Sequence, residues 1–231
     1  MKNAFYIILL LGTVLSSNAF AATATGDGIN GTCGDGCVYK REGNILTIFG
    51  TKPGAKIDAR AFSLGADWEQ VYVPEIDDYE SVAIEEERFH GLSEVVVEGS
   101  IENIGSAFLH DQTVKLTLKE GIKTLEPGAF IELDCGSVVI PTSISSIGEN
   151  AFNSGYTATY YCSEGQFEMC QNAGLYSASQ VKSYVKSEGN YISDGIIVGS
   201  YSYKKPKRIY TLEEATKLSK PTGNRFMIRY K

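Results

Sequence analysis

The side chains able to do chemistry are few. The chain has 231 residues and two histidines, His90 and His110, standing twenty residues apart just behind a phenylalanine in each case. If adjacent turns brought them beside Asp111, they would offer ligands to a metal. As single turn residues facing water they need no such role, and that is the favoured reading. No Ser/His/Asp or Cys/His set is suggested, and residues 182–231 contain neither histidine nor cysteine. The carboxylates there are Glu188, Asp194, Glu213 and Glu214, and two of these fit a helix cap better than an acid–base pair. Residues 67–87 gather nine acidic side chains, but Asp77-Asp78-Tyr-Glu80 is no EF-hand loop and reads as a solvated, insertion-bearing turn. The sequence therefore argues for a protein that is not an enzyme, with no cofactor and no metal.

What positions these residues is a repeat. Ile104-Gly-Ser-Ala-Phe108, Leu125-Glu-Pro-Gly-Ala-Phe130 and Ile147-Gly-Glu-Asn-Ala-Phe152 are three copies of one motif. Ile57-Asp-Ala-Arg-Ala-Phe62 and Ile84-Glu-Glu-Glu-Arg-Phe89 are looser copies. The phenylalanines lie 27, 19, 22 and 22 residues apart, within the period of roughly 20–29 residues that marks leucine-rich repeats. A short apolar strand follows each copy: Val71-Tyr-Val73, Val95-Val-Val97, Leu116-Thr-Leu118, Val138-Val-Ile140 and Tyr160-Tyr-Cys162. One coil cannot bury its two strand side chains, two aliphatic residues and phenylalanine alone, but a stack of coils can. At roughly 1.5–3 kcal/mol per buried side chain, stacking becomes the dominant stabilising term. Alanine before phenylalanine lets the backbone approach beneath the ring. The expected fold is a right-handed leucine-rich-repeat solenoid with a parallel β-sheet and an irregular or short-helical convex side.

Strand alternation separates two faces. Leu46, Ile48, Val71, Val73, Val95, Val97, Leu116, Leu118, Val138, Ile140 and Tyr160 should point inward. Thr47, Tyr72, Val96, Thr117, Val139 and Tyr161 should then form an outer column, with Glu94 beside Lys115 and Glu98 beside Lys119. Such a nearly uncharged ridge between polar flanks has the make-up of an interface core with its rim. Tyr72, Val96, Thr117, Val139 and Tyr161 are the candidate partner-binding residues, the tyrosines acting as anchors. A competing arrangement is that the C-terminal tail folds back over the ridge.

Five cysteines accompany an N-terminus that reads as a secretory signal over residues 1–21: Lys2, an apolar run from Phe5 to Leu15, and Ala19-Phe20-Ala21. That run is shorter than the ~20 residues of a membrane span. Stacked strands are ~4.8 Å apart, so the two ends of the stack lie ~24 Å apart, far beyond the reach of a disulfide. Local pairs are the simple solution, Cys33–Cys37 and Cys162–Cys170, and the same distance opposes a four-cysteine zinc site. Cys135 is left as a buried apolar residue.

The motif residues carry a family resemblance. Thr32-Cys-Gly-Asp, Gly43-Asn-Ile-Leu-Thr-Ile-Phe-Gly50 and Val139-Ile-Pro-Thr-Ser-Ile-Ser-Ser-Ile-Gly-Glu-Asn-Ala-Phe152 resemble the BspA-like leucine-rich repeat proteins of bacteria, over about residues 30–165. The resemblance implies an exported or surface-exposed solenoid, in some members used for adhesion or for binding host proteins. The chain departs from the pattern between Phe62 and Phe89, where Glu75 to Ser81 looks inserted.

Charge divides the chain. Residues 22–181 carry 9 Lys+Arg against 24 Asp+Glu, and residues 182–231 carry 11 against 4. The organisation expected is a signal (1–21), an N-terminal cap (22–50), the solenoid with a capping helix at Gln166–Gly174 (51–174), and a small basic α+β module (175–231). In that module Ser187-Glu-Gly-Asn190 and Ser193-Asp-Gly195 should be turns, Thr211-Leu-Glu-Glu214 should open a helix, and Phe226–Tyr230 should form a strand. The tail lacks a nucleic-acid motif. The function expected is non-catalytic binding of a protein or glycan by an exported monomer, in the periplasm, at the cell surface or outside the cell. An envelope structural role, with the basic tail on anionic cell-surface polymer, is the alternative.

Overall fold

The computed structural model describes residues 24–63, 67–73, 78–84, 88–110 and 112–201. The expected signal and the expected helix and strand beyond Thr211 lie outside these residues. The fold opens with β1 (Asn30–Gly34), β2 (Cys37–Glu42) and β3 (Ile45–Gly50), and a turn then leads to β4 (Ala55–Ile57). A hairpin of β5 (Asp67–Val73) and β6 (Asp78–Ile84) follows. Next come β7 (Glu94–Val97), β8 (Ile101–Ile104) and β9 (Gln112–Thr113), then β10 (Lys115–Leu118), β11 (Thr124–Leu125) and β12 (Leu133–Asp134). After β13 (Ser137–Val139), β14 (Ser146–Ile147) and β15 (Thr159–Ser163), a 3₁₀ turn (Glu164–Gln166) enters the short helix α1 (Phe167–Gln171). The described chain ends in β16 (Gln180–Ser187), β17 (Asn190–Ser193) and β18 (Ile196–Ser200).

These strands stack as a β-solenoid of about four turns. β3, β7 and β10 pair in parallel, and β13, β15 and β16 continue the same arrangement, with β13 lying beside β10. A second parallel sheet runs β4–β8–β11–β14 and places Ile57, Ile104, Leu125 and Ile147 in register. β9 and β12 form a third, two-stranded parallel sheet. The motif thus recurs because each coil offers the same hydrogen-bonding edges to the next.

The interior follows the alternation. Leu46, Ile48, Val95, Val97, Leu116, Leu118, Val138, Ile140 and Tyr160 are buried, as are Phe62, Phe89, Phe108, Phe130 and Phe152. The phenylalanine turns are also bonded from coil to coil. The N–H groups of Phe62, Phe130 and Phe152 donate to the carbonyls of Phe108, Ala151 and Ala173 at 2.8, 3.0 and 3.0 Å. The Phe130 ring stacks on Phe152 at 5.8 Å, and Phe152 on Tyr160 at 4.0 Å. Gly99 shows why a side chain is excluded between strand and turn: a Cβ there would fall 1.8 Å from the carbonyl oxygen of Glu120 in the next coil.

One expected coil is absent from the stack. β3 pairs directly with β7, while β5 pairs with β6 in antiparallel register, Tyr72 opposite Tyr79. Val71-Tyr-Val73 is therefore not a rung of the parallel sheet, and Tyr72 does not belong to the outer column. Ile84 likewise falls in β6, and it is Ile57 that pairs with Ile104. The reason is competition for edges. With β4 bound to β8 and β3 bound to β7, no gap is left between these rungs for a further strand, and β5 pairs with β6 instead. Phe62 and Phe89 then share one coil, their rings 5.0 Å apart in an edge-to-face contact with Tyr39 near both.

Each end has its own closure. The antiparallel β1–β2–β3 unit covers the N-terminal side, with Cys33 and Cys37 Sγ at bonding distance and their Cα atoms 5.1 Å apart. α1 covers the other side, where Cys162 and Cys170 Sγ are at bonding distance and their Cα atoms 6.8 Å apart. Gln166 is buried and its amide donates to the carbonyls of Pro141 and Ile144, both at 2.7 Å. Cys135 is unpaired and partly buried against the core, where burial pushes its thiol up to about 12. Beyond the cap the sheet does not stop. β16 pairs in parallel with β15 through Tyr184, so the sheet continues past residue 175, where the C-terminal module was expected to begin.

Candidate binding face and the arm that lies on it

The outer column survives in part. Thr47, Val96 and Thr117 stand in register on β3, β7 and β10, each half-buried. Glu94 and Lys115 are register partners beside them, and Lys115 Nζ lies 2.9 Å from Glu94 Oε1. Thr117 Oγ1 donates to the same oxygen at 3.3 Å. A pair this exposed adds about 0–1 kcal/mol, so its effect is on register and on which partner fits. Glu98 and Lys119 flank the column on neighbouring rungs, but no ion pair joins them among the described residues.

Val139 and Tyr161 continue the column on β13 and β15, in line with Lys182 on β16. Here the chain itself intervenes. Residues 180–184 of β16 pair with β15, and residues 185–187 pair antiparallel with β17, which pairs with β18. The two turns use left-handed residues, Glu188 and Gly189 at φ 49° and 82°, and Asp194 and Gly195 at φ 50° and 76°. These are the conformations that tight hairpin turns demand, which is why the sequence marks both turns.

One face of this small arm lies on the solenoid. Lys186, Tyr191 and Gly199 are in register on it, and Tyr184 and Tyr191 are buried. Tyr184 Oη donates to the Ile140 carbonyl at 2.9 Å. A Cβ built on Gly199 would stand 3.1 Å from Val139 Cγ2, so β18 passes directly over that residue. The fold-back of the tail thus overlies part of Val139, which is half-buried.

Glu120, just past β10, ties the arm down. Its Oε1 accepts from Lys186 Nζ at 2.5 Å and Tyr191 Oη at 2.8 Å, and Thr142 Oγ1 lies 3.0 Å away. Its Oε2 accepts the Ser143 N–H at 3.0 Å. Burial pushes the carboxyl pKa up, but the hydrogen bonds from Lys186, Tyr191 and Thr142 outweigh it and hold the group below its ordinary value. Burial and the facing carboxylate raise the Tyr191 phenol. Sequence reasoning did not find this cluster. Tyr184, Tyr191 and Lys186 read only as a polar strand, and Glu120 belongs to no motif.

The other candidate groups are placed as follows. His110 is buried rather than an exposed turn residue, with Nε2 2.6 Å from Glu132 Oε2 in the next coil. His90 is exposed, and its carbonyl accepts from Arg41 Nη2 at 2.8 Å. Among the described residues, no three His, Cys, Asp or Glu side chains group as they would to hold a metal ion, and no helix is long and apolar enough to cross a membrane.

No family model, curated protein or solved structure matches the chain. Thr47, Val96 and Thr117 offer β-branched contact surface and hydroxyl groups, bordered by Glu94 and Lys115 on one side and by Glu98 and Lys119 on the other.

Proposed function

We propose that the chain is an exported, non-catalytic binding protein of the leucine-rich-repeat type, which holds a protein or glycan partner on the outer face of its parallel sheet. The observation that carries this reading is the in-register column Thr47–Val96–Thr117, half-buried and uncharged, with the Glu94–Lys115 pair at its border. Export is supported by the N-terminal sequence and by two cysteine pairs at bonding distance, a usage typical of oxidising compartments. The BspA-like motif residues support the repeat type. The alternative of a basic tail on anionic polymer draws no support from the two described lysines of that segment. Lys182 lies 3.5 Å from Asp194, and Lys186 is taken by Glu120.

The test is binding of the purified chain, from Ala22 onward, to a glycan array and to a panel of purified extracellular-matrix proteins. Val96→Glu combined with Thr117→Glu should leave the melting curve in place and weaken any binding found by ~30-fold or more, as loss of a central anchor does. Unchanged affinity in the double variant, or no binding anywhere in either panel, overturns the reading.

A further inference from the structure

We propose that residues 185–200 are a latched lid over the C-terminal end of the sheet face, held shut at Glu120 and able to swing away from Val139 without disturbing the solenoid. The inference rests on the reading that this face binds a partner and assigns a regulation to it.

The hydrogen bonds of β16 divide after Tyr184. Residues 180–184 bond only to β15, and residues 185–187 bond only to β17. The Tyr184–Val185 junction is therefore a natural hinge, because the arm beyond it shares no ladder bond with the coils. Motion there costs none of the stacked sheet.

Across the solenoid the arm is gripped at Glu120, through Lys186 and Tyr191, while at the base of β16 Ser193 Oγ donates to the Ser183 carbonyl at 2.7 Å and Asp194 lies 3.5 Å from Lys182. Lys186 Nζ also lies 2.6 Å from Thr142 Oγ1. The apolar seat is a glycine over Val139. Glycine inside a strand weakens it and marks close approach of another surface. Gly199 is the residue that lets β18 lie flat on the column.

On the arm's outer side, Val185, Ile192 and Ile197 form a register row facing away from Lys186 and Tyr191, with Val185 and Ile197 65% and 63% exposed. An arm with an apolar outer side and a polar latch is not a part of the core. Its buried residues are Tyr191 and Ser193, and a segment that buries so little opens locally at low free energy. Opening would extend the uncharged column from Thr117 to Val139 and free the Glu120 carboxylate beside it.

The experiment uses the full chain with Cys135→Ala and Val139→Cys, both native disulfides intact, and follows labelling of the new thiol by N-ethylmaleimide. The latched protein is compared with Glu120→Gln and with Lys186→Met. Removing a charged hydrogen bond should speed labelling by ~10-fold or more, with a similar acceleration of amide exchange in β17 and β18 and none in β7 and β10. Equal labelling rates in all three proteins, whether fast or slow, overturn the lid, and so does acceleration shared by β7 and β10. The readout needs no partner. A lid that opens while Lys186→Met leaves all partner affinities unchanged would stand, and it would be the binding role of the Val139 end that failed.

Discussion

Gly199 of β18 lies against Val139 of β13, close enough that a Cβ on the glycine would stand 3.1 Å from Val139 Cγ2 and 3.3 Å from Tyr191 Cδ2. An alanine there needs its neighbours to give by a few tenths of an ångström, and a valine needs far more. Gly199→Val should therefore lift the arm rather than strain the coils. Amide exchange in β17 and β18 should accelerate, while the unfolding free energy of the solenoid changes by no more than a surface substitution does, about 0.5 kcal/mol. Exchange mapped by mass spectrometry separates the two regions.

The aromatic stack sets the core's stability. Phe130 is fully buried between Phe108 at 6.2 Å and Phe152 at 5.8 Å. Phe130→Ala removes a ring that cannot be replaced by collapse of the bonded turns on either side. The expected loss is about 3–5 kcal/mol in urea unfolding.

The cysteines have distinct fates. Non-reducing peptide mapping should join Cys33 to Cys37 and Cys162 to Cys170, with no cross-link between the two ends. Cys135 should resist iodoacetamide in the native protein and react after unfolding, because burial keeps its thiol protonated. Replacing Cys162 and Cys170 together by serine should cost about 2–4 kcal/mol and loosen the cap that receives the Phe152 N–H.

Acid should release the arm. The Glu120 carboxyl titrates below its ordinary 4.5 when the arm is docked. A depressed carboxylate contributes stability that is complete above the ordinary value and is lost as pH falls through the lower, folded one. Exchange of the β17 and β18 amides, corrected for intrinsic rates, should therefore rise between about pH 5 and pH 3. In Glu120→Gln it should be fast throughout and lack this transition.

Much of the fold was legible in short-range pattern. The spacing of Phe108, Phe130 and Phe152, the alternation in Val95–Val97 and Leu116–Leu118, and the small or left-handed residues before each ring all concern neighbours within one coil or one coil away. The same locality made the cysteine pairs readable, since a stack keeps its ends apart.

Tyr72 was not legible for a related reason. Alternation specifies a strand with two faces but not its partner, and β5 has the same pattern whether it joins a parallel rung or closes a hairpin. Only the assembled edges, with β3 on β7 and β4 on β8, exclude it from the stack.

The sequence by itself determined the coil interior, the repeat period, the hairpin turns of the arm and the local cysteine pairing, because each arises from residues near one another along the chain or repeated at a fixed step. Tertiary structure alone decided which part of the outer column stays open. Glu120 meets Lys186 across 66 residues and Tyr191 across 71, contacts that no periodicity announces. The arm lies on Val139 because a carboxylate, a lysine, a phenol and a glycine arrive at one place only after the coils have stacked.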